Sequence, residues 1–288
     1  MPQVGILGGG VMGEAVLTAV LRGGWDTDQV EVSEKYALRA TEIATVHGVR
    51  VDHTPTQVAE RADIIVIALK PHDIPEVLDS ISPVLRPGAL VVSVAAGMTT
   101  GSIAEHLPPR TPVVRVMPNT PAVIGEGAAA ICPGVDAGEV HLDLVERLLA
   151  ATGLVVRVAE PMMDAVTAIS GSGPAYVFYL VDALAEAGVL LGLTRAQSLA
   201  LATATFRGAA GLLESSGEHP AILRERVSSP GGTTVAGVRQ LDVHGVRAGM
   251  LAAAEAARDR SRELGAPPTP RTAPVTRSDG PDAISAER

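Results

Sequence analysis

The chain has 288 residues, of which 47% are hydrophobic and 2% aromatic, and its formal net charge is −9. This much aliphatic material excludes a disordered chain, and the length suits two domains of ordinary size. The acidic balance and the few rings (one Trp, three Tyr and two Phe) argue against a nucleic-acid partner, because such proteins need basic patches and stacking aromatics.

The cysteine, histidine and hydropathy patterns bear on metal binding and compartment. Cys132 is the only cysteine, which excludes a disulfide within the chain and a cysteine-based metal cluster. The seven histidines lack metal-ligand spacing, so we predict no metal site. Residues 2–10 have the pattern of a strand and a turn rather than a signal peptide, and the apolar stretch 175–193 is interrupted by Asp182 and Glu186. We therefore expect a cytoplasmic protein that does not span a membrane.

The first 160 residues alternate short β-rich runs with helical patterns. Several runs are continuously apolar, as expected for strands buried on both faces of a parallel sheet. The predicted strands are 4–7, 30–32, 63–69, 89–94, 113–116 and 154–158. The pattern predicts an α/β fold in which residues 1–160 form a doubly wound, Rossmann-type sheet.

A glycine-rich turn follows the first predicted strand. Gly8, Gly10 and Gly13 satisfy the pattern G-x-G-x-x-G at the start of a helical run. In this motif the first glycine permits a tight turn, the second lets the backbone approach a pyrophosphate, and the third allows close helix–strand packing. The N-terminus of the helix then faces the phosphates. The position of the motif in the first βα turn predicts dinucleotide binding.

The end of the second strand leaves the identity of the nicotinamide cofactor open. Glu34 lies 21 positions after Gly13, where an acidic residue that binds the ribose hydroxyls of NAD is expected. Ser33, Lys35 and Arg39 surround Glu34 and suit a 2′-phosphate instead. Lys35 and Arg39 equally suit the solvated start of a helix. Both NADPH and NADH are compatible with this pattern.

Two further segments lie where a predicted strand ends. Ala68-Leu69-Lys70-Pro71 follows one strand, and Met117-Pro118-Asn119-Thr120-Pro121 follows another. Because an open α/β sheet binds its ligand at the carboxyl ends of its strands, Lys70 is a candidate for the cofactor phosphates or ribose. Asn119 or Thr120 is a candidate for the nicotinamide amide. A surface lysine at a strand end is the alternative for Lys70.

The strand pattern stops at Pro161, and residues 161–265 are predicted to form an all-helical domain. The predicted helices are 161–170, 174–191, 194–215, 220–227, 234–242 and 245–264. Thr194 and Gln197 have the spacing of a capping box. Residues 175–193 and 199–213 are apolar around most of the helix circumference, which predicts burial against another subunit. The Pro-rich residues 266–288 are predicted to form a disordered tail.

A loop of glycine and hydroxyl residues precedes the fifth of these helices. Gly231 and Gly232 stand directly before Thr233 and Thr234, so backbone N–H groups converge at a positive helix end. Such a site suits a carboxylate, with the two hydroxyls beside it. A plain loop with an N-cap is the alternative. The stretch Ser170–Pro174 is a second predicted break between helices, which either lets backbone approach a ligand or turns the chain.

The scarcity of lysine narrows the chemistry. Lys35 and Lys70 are the only lysines, so residues 161–265 cannot supply a Schiff-base lysine or a lysine acid. The β-hydroxyacid dehydrogenases share this two-domain plan and have such a lysine on the helix after the sheet domain. This chain has Ser170-Gly171-Ser172-Gly173 in that region, which disfavours alcohol oxidation by that route.

Together these motifs resemble those of the pyrroline-5-carboxylate reductases over about residues 3–265. The matching segments occur in the family's order and spacing: Gly8–Gly13, Ala68–Pro71, Ala95-Ala96-Gly97, Met117–Pro121, Ser170–Tyr176 and Val227–Thr234. The resemblance implies reduction of the cyclic imine 1-pyrroline-5-carboxylate to L-proline, the final step of proline biosynthesis, with NADPH or NADH. It also implies homodimers interleaved through the helical domain, often assembled into decamers.

The resemblance further implies roles for individual residues. The cofactor-binding residues would be Leu7, Gly8, Gly9, Gly10, Val11, Met12, Gly13, Ser33, Ala68, Leu69, Lys70, Pro71, Ala95 and Asn119. The substrate-binding residues would be Ser172, Ser229, Gly231, Gly232, Thr233 and Thr234, with the Thr234 hydroxyl at the ring nitrogen as the catalytic candidate. Ser33 agrees with the family's preference for NADPH, whereas Glu34 leaves NADH open. This chain has Thr54-Pro55 where many members have an Asn that contacts the adenosine part of the cofactor.

The residues agree with this chemistry. A protonated imine needs a hydride at carbon and no strong acid, so catalysis would come from positioning and needs no Lys, His or Cys cluster. Two alternatives remain: another enzyme of similar plan, such as a reductase of a different cyclic imine, and a nucleotide-binding regulator without activity. A role as a regulator would not explain why residues 228–234 form an anion site.

Overall fold

The apolar runs of the first half of the chain form an eight-stranded sheet in the computed structural model, which describes residues 1–265. The strands are β1 (Val4–Leu7), β2 (Val30–Ser33), β3 (Arg50–Asp52), β4 (Ile64–Ile67), β5 (Leu90–Ser93), β6 (Val113–Met117), β7 (Gly127–Pro133) and β8 (Gly153–Arg157). Their order is β3-β2-β1-β4-β5-β6-β7-β8, with β6 and β7 antiparallel and the other neighbours parallel. The predicted doubly wound sheet is confirmed, whereas the predicted tail lies outside the described residues.

Helices cover both faces of the sheet. They are α1 (Val11–Arg22), α2 (Ala37–His47), α3 (Pro55–Ala59), α4 (Ile74–Ile81), α5 (Thr100–Ala104) and α6 (Glu139–Leu149). Successive residues of a strand point to opposite faces. In β4, Ile64 and Val66 accordingly join the core beneath α1, α2 and α6, whereas Ile65 and Ile67 join the core beneath α3, α4 and α5.

Six of the eight strands follow the sequence prediction, with ends that shift by up to two residues. The other two were not predicted, and each has a physical reason. β3 is three residues long and contains Arg50 and Asp52. β7 has the sequence Gly-Ala-Ala-Ala-Ile-Cys-Pro, which has little β propensity, and its pairing with β6 defines it. A short 3₁₀ turn, Thr120–Ile124, joins the two strands and makes them antiparallel.

The second half of the described chain is helical, as predicted. It contains α7 (Met163–Val166), a π-helical turn (Thr167–Gly171), α8 (Gly173–Leu190), α9 (Arg195–Ser216), α10 (Pro220–Arg226), α11 (Thr233–Val243) and α12 (Val246–Gly265). The predicted capping box of α9 is present: the Gln197 amide N–H donates to Thr194 Oγ1 at 3.3 Å, and the Thr194 amide N–H donates to Gln197 Oε1 at 3.1 Å.

Much of the apolar surface of α8 and α9 remains exposed in the single chain. The two helices pack on each other, yet Tyr179 is 76% and Leu190 88% exposed. An open groove of about 580 Å³, lined by apolar residues such as Leu241 and Met250, adds to this surface. By length and composition alone, the segment Glu160–Leu190 could cross a membrane, which is weak evidence for a span. A helix that packs against a second subunit has the same composition.

Cys132 of β7 lies in a small apolar cluster with Ala130 and Met163, between the sheet and α7. The side chain is fully buried, and burial raises the pKa of its thiol to about 12, with Glu160 adding to the rise. The raised pKa keeps the thiol protonated at neutral and mildly alkaline pH, so the reactive thiolate is scarce.

We expect native Cys132 to resist Ellman's reagent at pH 8 and to react fully once guanidinium unfolds the chain. The absorbance of the released thionitrobenzoate measures both rates, and the unfolded protein should release one equivalent per chain. Fast titration of the native protein would show that α7 does not cover β7 in solution.

Candidate active site

The turn from β1 into α1 is governed by close backbone packing. Gly8 has φ +107°, and a Cβ there would lie 2.5 Å from the carbonyl oxygen of Ala68. A Cβ on Gly13 would lie 1.9 Å from the carbonyl oxygen of Gly8. By contrast, a Cβ on Gly10 would meet nothing within 4 Å. The open backbone at Gly10, at the N-terminus of α1, fits the pyrophosphate of a dinucleotide.

The other residues of this turn offer less to a ligand. Leu7 is fully buried, so its backbone alone faces the turn. The Gly9 amide N–H donates to Glu34 Oε2 at 3.1 Å, and the Gly9 carbonyl accepts from Arg39 Nε at 2.9 Å. Val11, by contrast, is 68% exposed at the first position of α1, and Met12 behind it is half-buried. The exposed face of the turn is therefore Gly10 and Val11.

Glu34 and Arg39 are both engaged within the protein. The second carboxylate oxygen of Glu34 accepts from the Tyr36 amide N–H at 2.9 Å, and the residue is 8% exposed. The guanidinium of Arg39 pairs with Glu42 at 2.7 Å and Glu14 at 2.6 Å. Hydrogen bonds to these two carboxylates raise the pKa of Arg39.

Lys35 is exposed, with its ammonium 5.0 Å from the centroid of the Tyr36 ring. Ser33 is buried, and its carbonyl accepts from the Gly8 amide N–H at 2.9 Å. Of the two cations predicted near a 2′-phosphate, Lys35 projects into solvent, whereas Arg39 is held by its ion pairs. The backbone at Thr54-Pro55 starts α3, and the Thr54 hydroxyl donates to Gln57 Oε1 at 2.6 Å.

The predicted segments after β4 and β5 lie at the same edge of the sheet as Gly8. The Ala68 amide N–H donates to the Leu7 carbonyl at 2.8 Å, and the exposed Lys70 starts a 3₁₀ turn at Pro71. Leu69 is half-buried, and a Cβ on Gly8 would lie 3.0 Å from its side chain. Ala95 is buried just beyond β5. The strand order reverses between β1 and β4, which is where open α/β sheets bind ligands.

The loop after β6 contacts the helical half of the chain. Asn119 is 9% exposed, and its Nδ2 donates to the Ser170 carbonyl at 3.1 Å. Its Oδ1 accepts from the Ala128 amide N–H at 2.9 Å. The side-chain amide, predicted to face the nicotinamide, is thus occupied within the protein, and its backbone and Thr120 remain as candidates for a cofactor contact.

The predicted break at residues 170–174 lies where the π-helical turn Thr167–Gly171 ends and α8 begins at Gly173, with a bend at Ser172 between them. The Ser172 amide N–H donates to the Thr167 carbonyl at 2.8 Å, and Ser172 is half-buried at the N-terminus of α8. A Cβ on Gly171 would lie 2.6 Å from Met117 Cε, so the turn presses against the end of β6. Contacts with the end of β6 therefore hold the π-helical turn in place.

The predicted anion loop ends at Gly232, the N-cap of α11. Gly231 has φ +69°, and the Gly232 amide N–H donates to the Ser229 carbonyl at 2.9 Å. Ser229, Gly231 and Thr233 are exposed, and Thr234 is half-buried in the first turn of α11. The first N–H groups of a helix have no partner within it, so they are available to an anion.

Within residues 1–265, no hydrogen bond joins this loop to the dinucleotide turn. In the described range 1–265, the hydrogen bonds of residues 228–234 stay within the loop, α10 and α11. Helix α11 packs on α12. The two predicted halves of the site are therefore built on different parts of the chain.

One buried polar cluster was missed by the sequence interpretation. Glu160 accepts from the Thr100 amide N–H at 2.7 Å and from the Thr100 hydroxyl at 2.5 Å, and it pairs with Arg115 at 3.5 Å. Arg115 is 4% exposed and lines a cavity of about 420 Å³ with Gly97 and Arg262. The sequence signal for this cluster is the single arginine, Arg115, in the apolar strand Val113–Met117. A buried guanidinium needs a carboxylate partner, so this arginine indicates a buried ion pair.

Comparisons with known proteins agree with these two halves. Residues 160–264 match a family model described as pyrroline-5-carboxylate reductase dimerisation. Residues 3–97 match one described as NADP oxidoreductase, coenzyme F420-dependent. Among solved structures, a pyrroline-5-carboxylate reductase from Coxiella burnetii has a TM-score of 0.88 and 32% identity, covering 92% of this chain and 99% of that one. A Plasmodium falciparum pyrroline carboxylate reductase with NADP bound has a TM-score of 0.81 and 29% identity, covering 92% and 98%.

Curated relatives extend the likeness over nearly the whole chain. The pyrroline-5-carboxylate reductase of Corynebacterium melassecola is 40% identical over 268 residues, which cover 92% of this chain and 99% of that protein. The Arabidopsis thaliana protein of that name is 37% identical over 263 residues, covering 91% and 95%. Because this identity extends over almost the full length of both aligned chains, the chain belongs to the pyrroline-5-carboxylate reductase family.

Proposed function

We propose that this protein reduces the cyclic imine 1-pyrroline-5-carboxylate to L-proline with NADPH, as the final step of proline biosynthesis. The observation that supports this most directly is the end-to-end likeness to reductases of that name, at 40% identity over 92% of the chain. The test is to measure NADPH oxidation in the presence of the imine, as a loss of nicotinamide absorbance. The same measurement is then made with NADH. If the wild-type protein binds NADPH but does not oxidise it with any cyclic imine, the protein would instead be a nucleotide-binding regulator.

The dinucleotide fits at the carboxyl ends of β1 and β4. The pyrophosphate would lie over Gly10 and the N-terminus of α1, and Lys70, exposed just after β4, would serve the ribose or phosphates. When bound, the cofactor supplies the hydride from C4 of its nicotinamide. NADPH is favoured over NADH because Glu34 has both carboxylate oxygens on backbone amides, whereas Lys35 is exposed. A further support is the relative of known structure with NADP bound.

The imine would bind at the N-terminus of α11. Its carboxylate would accept from backbone N–H groups of Gly231–Thr234, and its protonated ring nitrogen would donate to the Thr234 hydroxyl oxygen. An iminium already has the proton that the amine product needs, so no further acid is required. The residues near the loop then act by orienting the imine carbon toward the hydride.

We further propose that each complete site lies between two subunits. The anion loop has no hydrogen bond to the sheet within the described residues, and the apolar faces of α8 and α9 are exposed. Residues 160–264 match a dimerisation model. Residues 1–160 and 161–265 would be the two domains, with the sheet domain of one subunit facing the loop of the other. Assembly of dimers into decamers and a cytoplasmic location are expected from the family resemblance.

Two glycines of the turn should respond differently to alanine. Gly10→Ala places a methyl group in open space, so it should leave the melting temperature nearly unchanged while weakening NADPH binding by about 10-fold or more. Gly13→Ala forces a methyl group against the Gly8 carbonyl and should destabilise the fold itself. Calorimetry and fluorescence titration with NADPH measure the two effects. Equal NADPH affinity of Gly10→Ala and wild type would remove Gly10 from the cofactor site.

Thr234 should matter for turnover. Thr234→Ala should lower kcat by about 10- to 1000-fold, the range for loss of a positioned hydrogen-bonding group, whereas Thr234→Ser keeps the hydroxyl and should retain most activity. NADPH affinity should not change in either variant. Near-wild-type kinetics of Thr234→Ala would exclude the hydroxyl from the mechanism.

Mixing two impaired variants tests the shared site, with activity measured at an NADPH concentration well below the Kd of the Gly10→Ala variant. Subunits with Gly10→Ala and subunits with Thr234→Ala, after joint refolding, should form mixed dimers in which one of the two sites has both wild-type halves. Random assembly then restores roughly a quarter of wild-type activity, since half of the dimers are mixed and each has one intact site. A site built within one chain would restore no activity beyond the sum of the parents.

A further inference from the structure

Asn119 joins the ligand edge of the sheet to the start of α8. It lies two residues after the end of β6, the residue is 9% exposed, and both polar atoms of its side chain have partners. Nδ2 donates to the Ser170 carbonyl, and Oδ1 accepts from the Ala128 amide N–H. These two hydrogen bonds fix the side chain between β7 and the π-helical turn.

The Ser170 carbonyl needs this donor for a reason visible in the sequence. In an α-helix it would accept from the N–H four residues later, but that residue is Pro174, which has no N–H. The amide N–H of Ala175, five residues later, donates to the Ser172 carbonyl at 3.0 Å instead. Nδ2 of Asn119 is therefore the partner of a half-buried carbonyl that the helix leaves unpaired.

The contact lies next to residues with a predicted role in binding. Ser172, a predicted substrate residue, is two positions beyond Ser170. Gly171 between them is so close to Met117 that a Cβ there would lie 2.6 Å from its Cε. The position of Ser172 relative to the carboxyl end of β6 is thus set by the Asn119 contact on one side and by Gly171 on the other.

We infer that Asn119 is a positioning residue for the imine rather than a contact to the nicotinamide. Its side-chain amide holds the π-helical turn Thr167–Gly171 against the sheet, and this contact would fix the place of Ser172 in the substrate site. The inference deepens the proposed function and rests on it. It predicts that loss of the Asn119 contact weakens binding of the imine and does not change binding of NADPH.

The sharpest variant is Asn119→Asp. It keeps the shape of the side chain and the acceptor for the Ala128 amide, but it sets an oxygen against the Ser170 carbonyl where a donor was. We expect the KM for the imine to rise by about 10-fold, a factor that corresponds to loss of one hydrogen bond at the half-buried Ser170 carbonyl. The Kd for NADPH, measured by fluorescence, should stay within about twofold of wild type.

Glu160→Gln is the matched control. Glu160 also joins the sheet to the helical half, through Thr100 and Arg115, but at a cluster that has no predicted substrate residue. This variant should lower the melting temperature at least as much as Asn119→Asp does, with an unchanged KM for the imine. An equal rise of KM in both variants would mean that general loosening is the cause and would overturn the inference.

Asn119 also allows a readout that is independent of activity, because it is the only asparagine in the chain. Protein labelled with ¹⁵N-asparagine should give one pair of side-chain amide signals, and their exchange with solvent should be slow. Fast exchange would refute the contact itself, whatever the enzyme activity. Weaker NADPH binding by Asn119→Asp with an unchanged KM for the imine would show a direct cofactor contact and refute the positioning role. A wild-type protein with a protected amide but no imine reduction would refute the proposed function alone.

Discussion

The fold depends first on how closely two pieces of backbone approach at the ends of β1 and β4. Gly8 and the Ala68 carbonyl leave no room for a Cβ between them, and Gly13 lies directly on the Gly8 carbonyl. These contacts set the direction of α1 and bring its N-terminus to the point where the strand order reverses. The opening beside Gly10 follows from that packing. The predicted dinucleotide site is thus formed mainly by backbone geometry. This explains why a chain with so few aromatic and lysine side chains can form it.

The sequence predicts the parts of the sheet whose burial determines their composition. The central strands are buried on both faces and must be apolar throughout, so their pattern is unmistakable. β7 escapes prediction because alanine is compatible with either a helix or a strand, and the pairing of Met117 with Ala130 decides between them. The helices of the second half are predictable for a different reason, since caps and prolines mark their ends.

The candidate site shows a sharper limit. Residue type and position can be predicted locally, whereas the partners of a side chain come from distant parts of the chain. Glu34 suits a ribose by its place after β2, yet it binds the Gly9 amide, 25 residues away. Asn119 suits a nicotinamide by its place after β6, yet its partner is 51 residues further on. Pro174 was the one local sign of that contact, because a proline four residues after a carbonyl leaves it without a helical donor.

The exposed apolar faces of α8 and α9 have a consequence for the energetics of the folded chain. A partner that covers these faces binds the native state and not the unfolded one, so folding and association become linked equilibria. The melting temperature then depends on protein concentration. A site shared between subunits would add the same dependence to catalysis, with specific activity falling on dilution below the dissociation constant of the dimer.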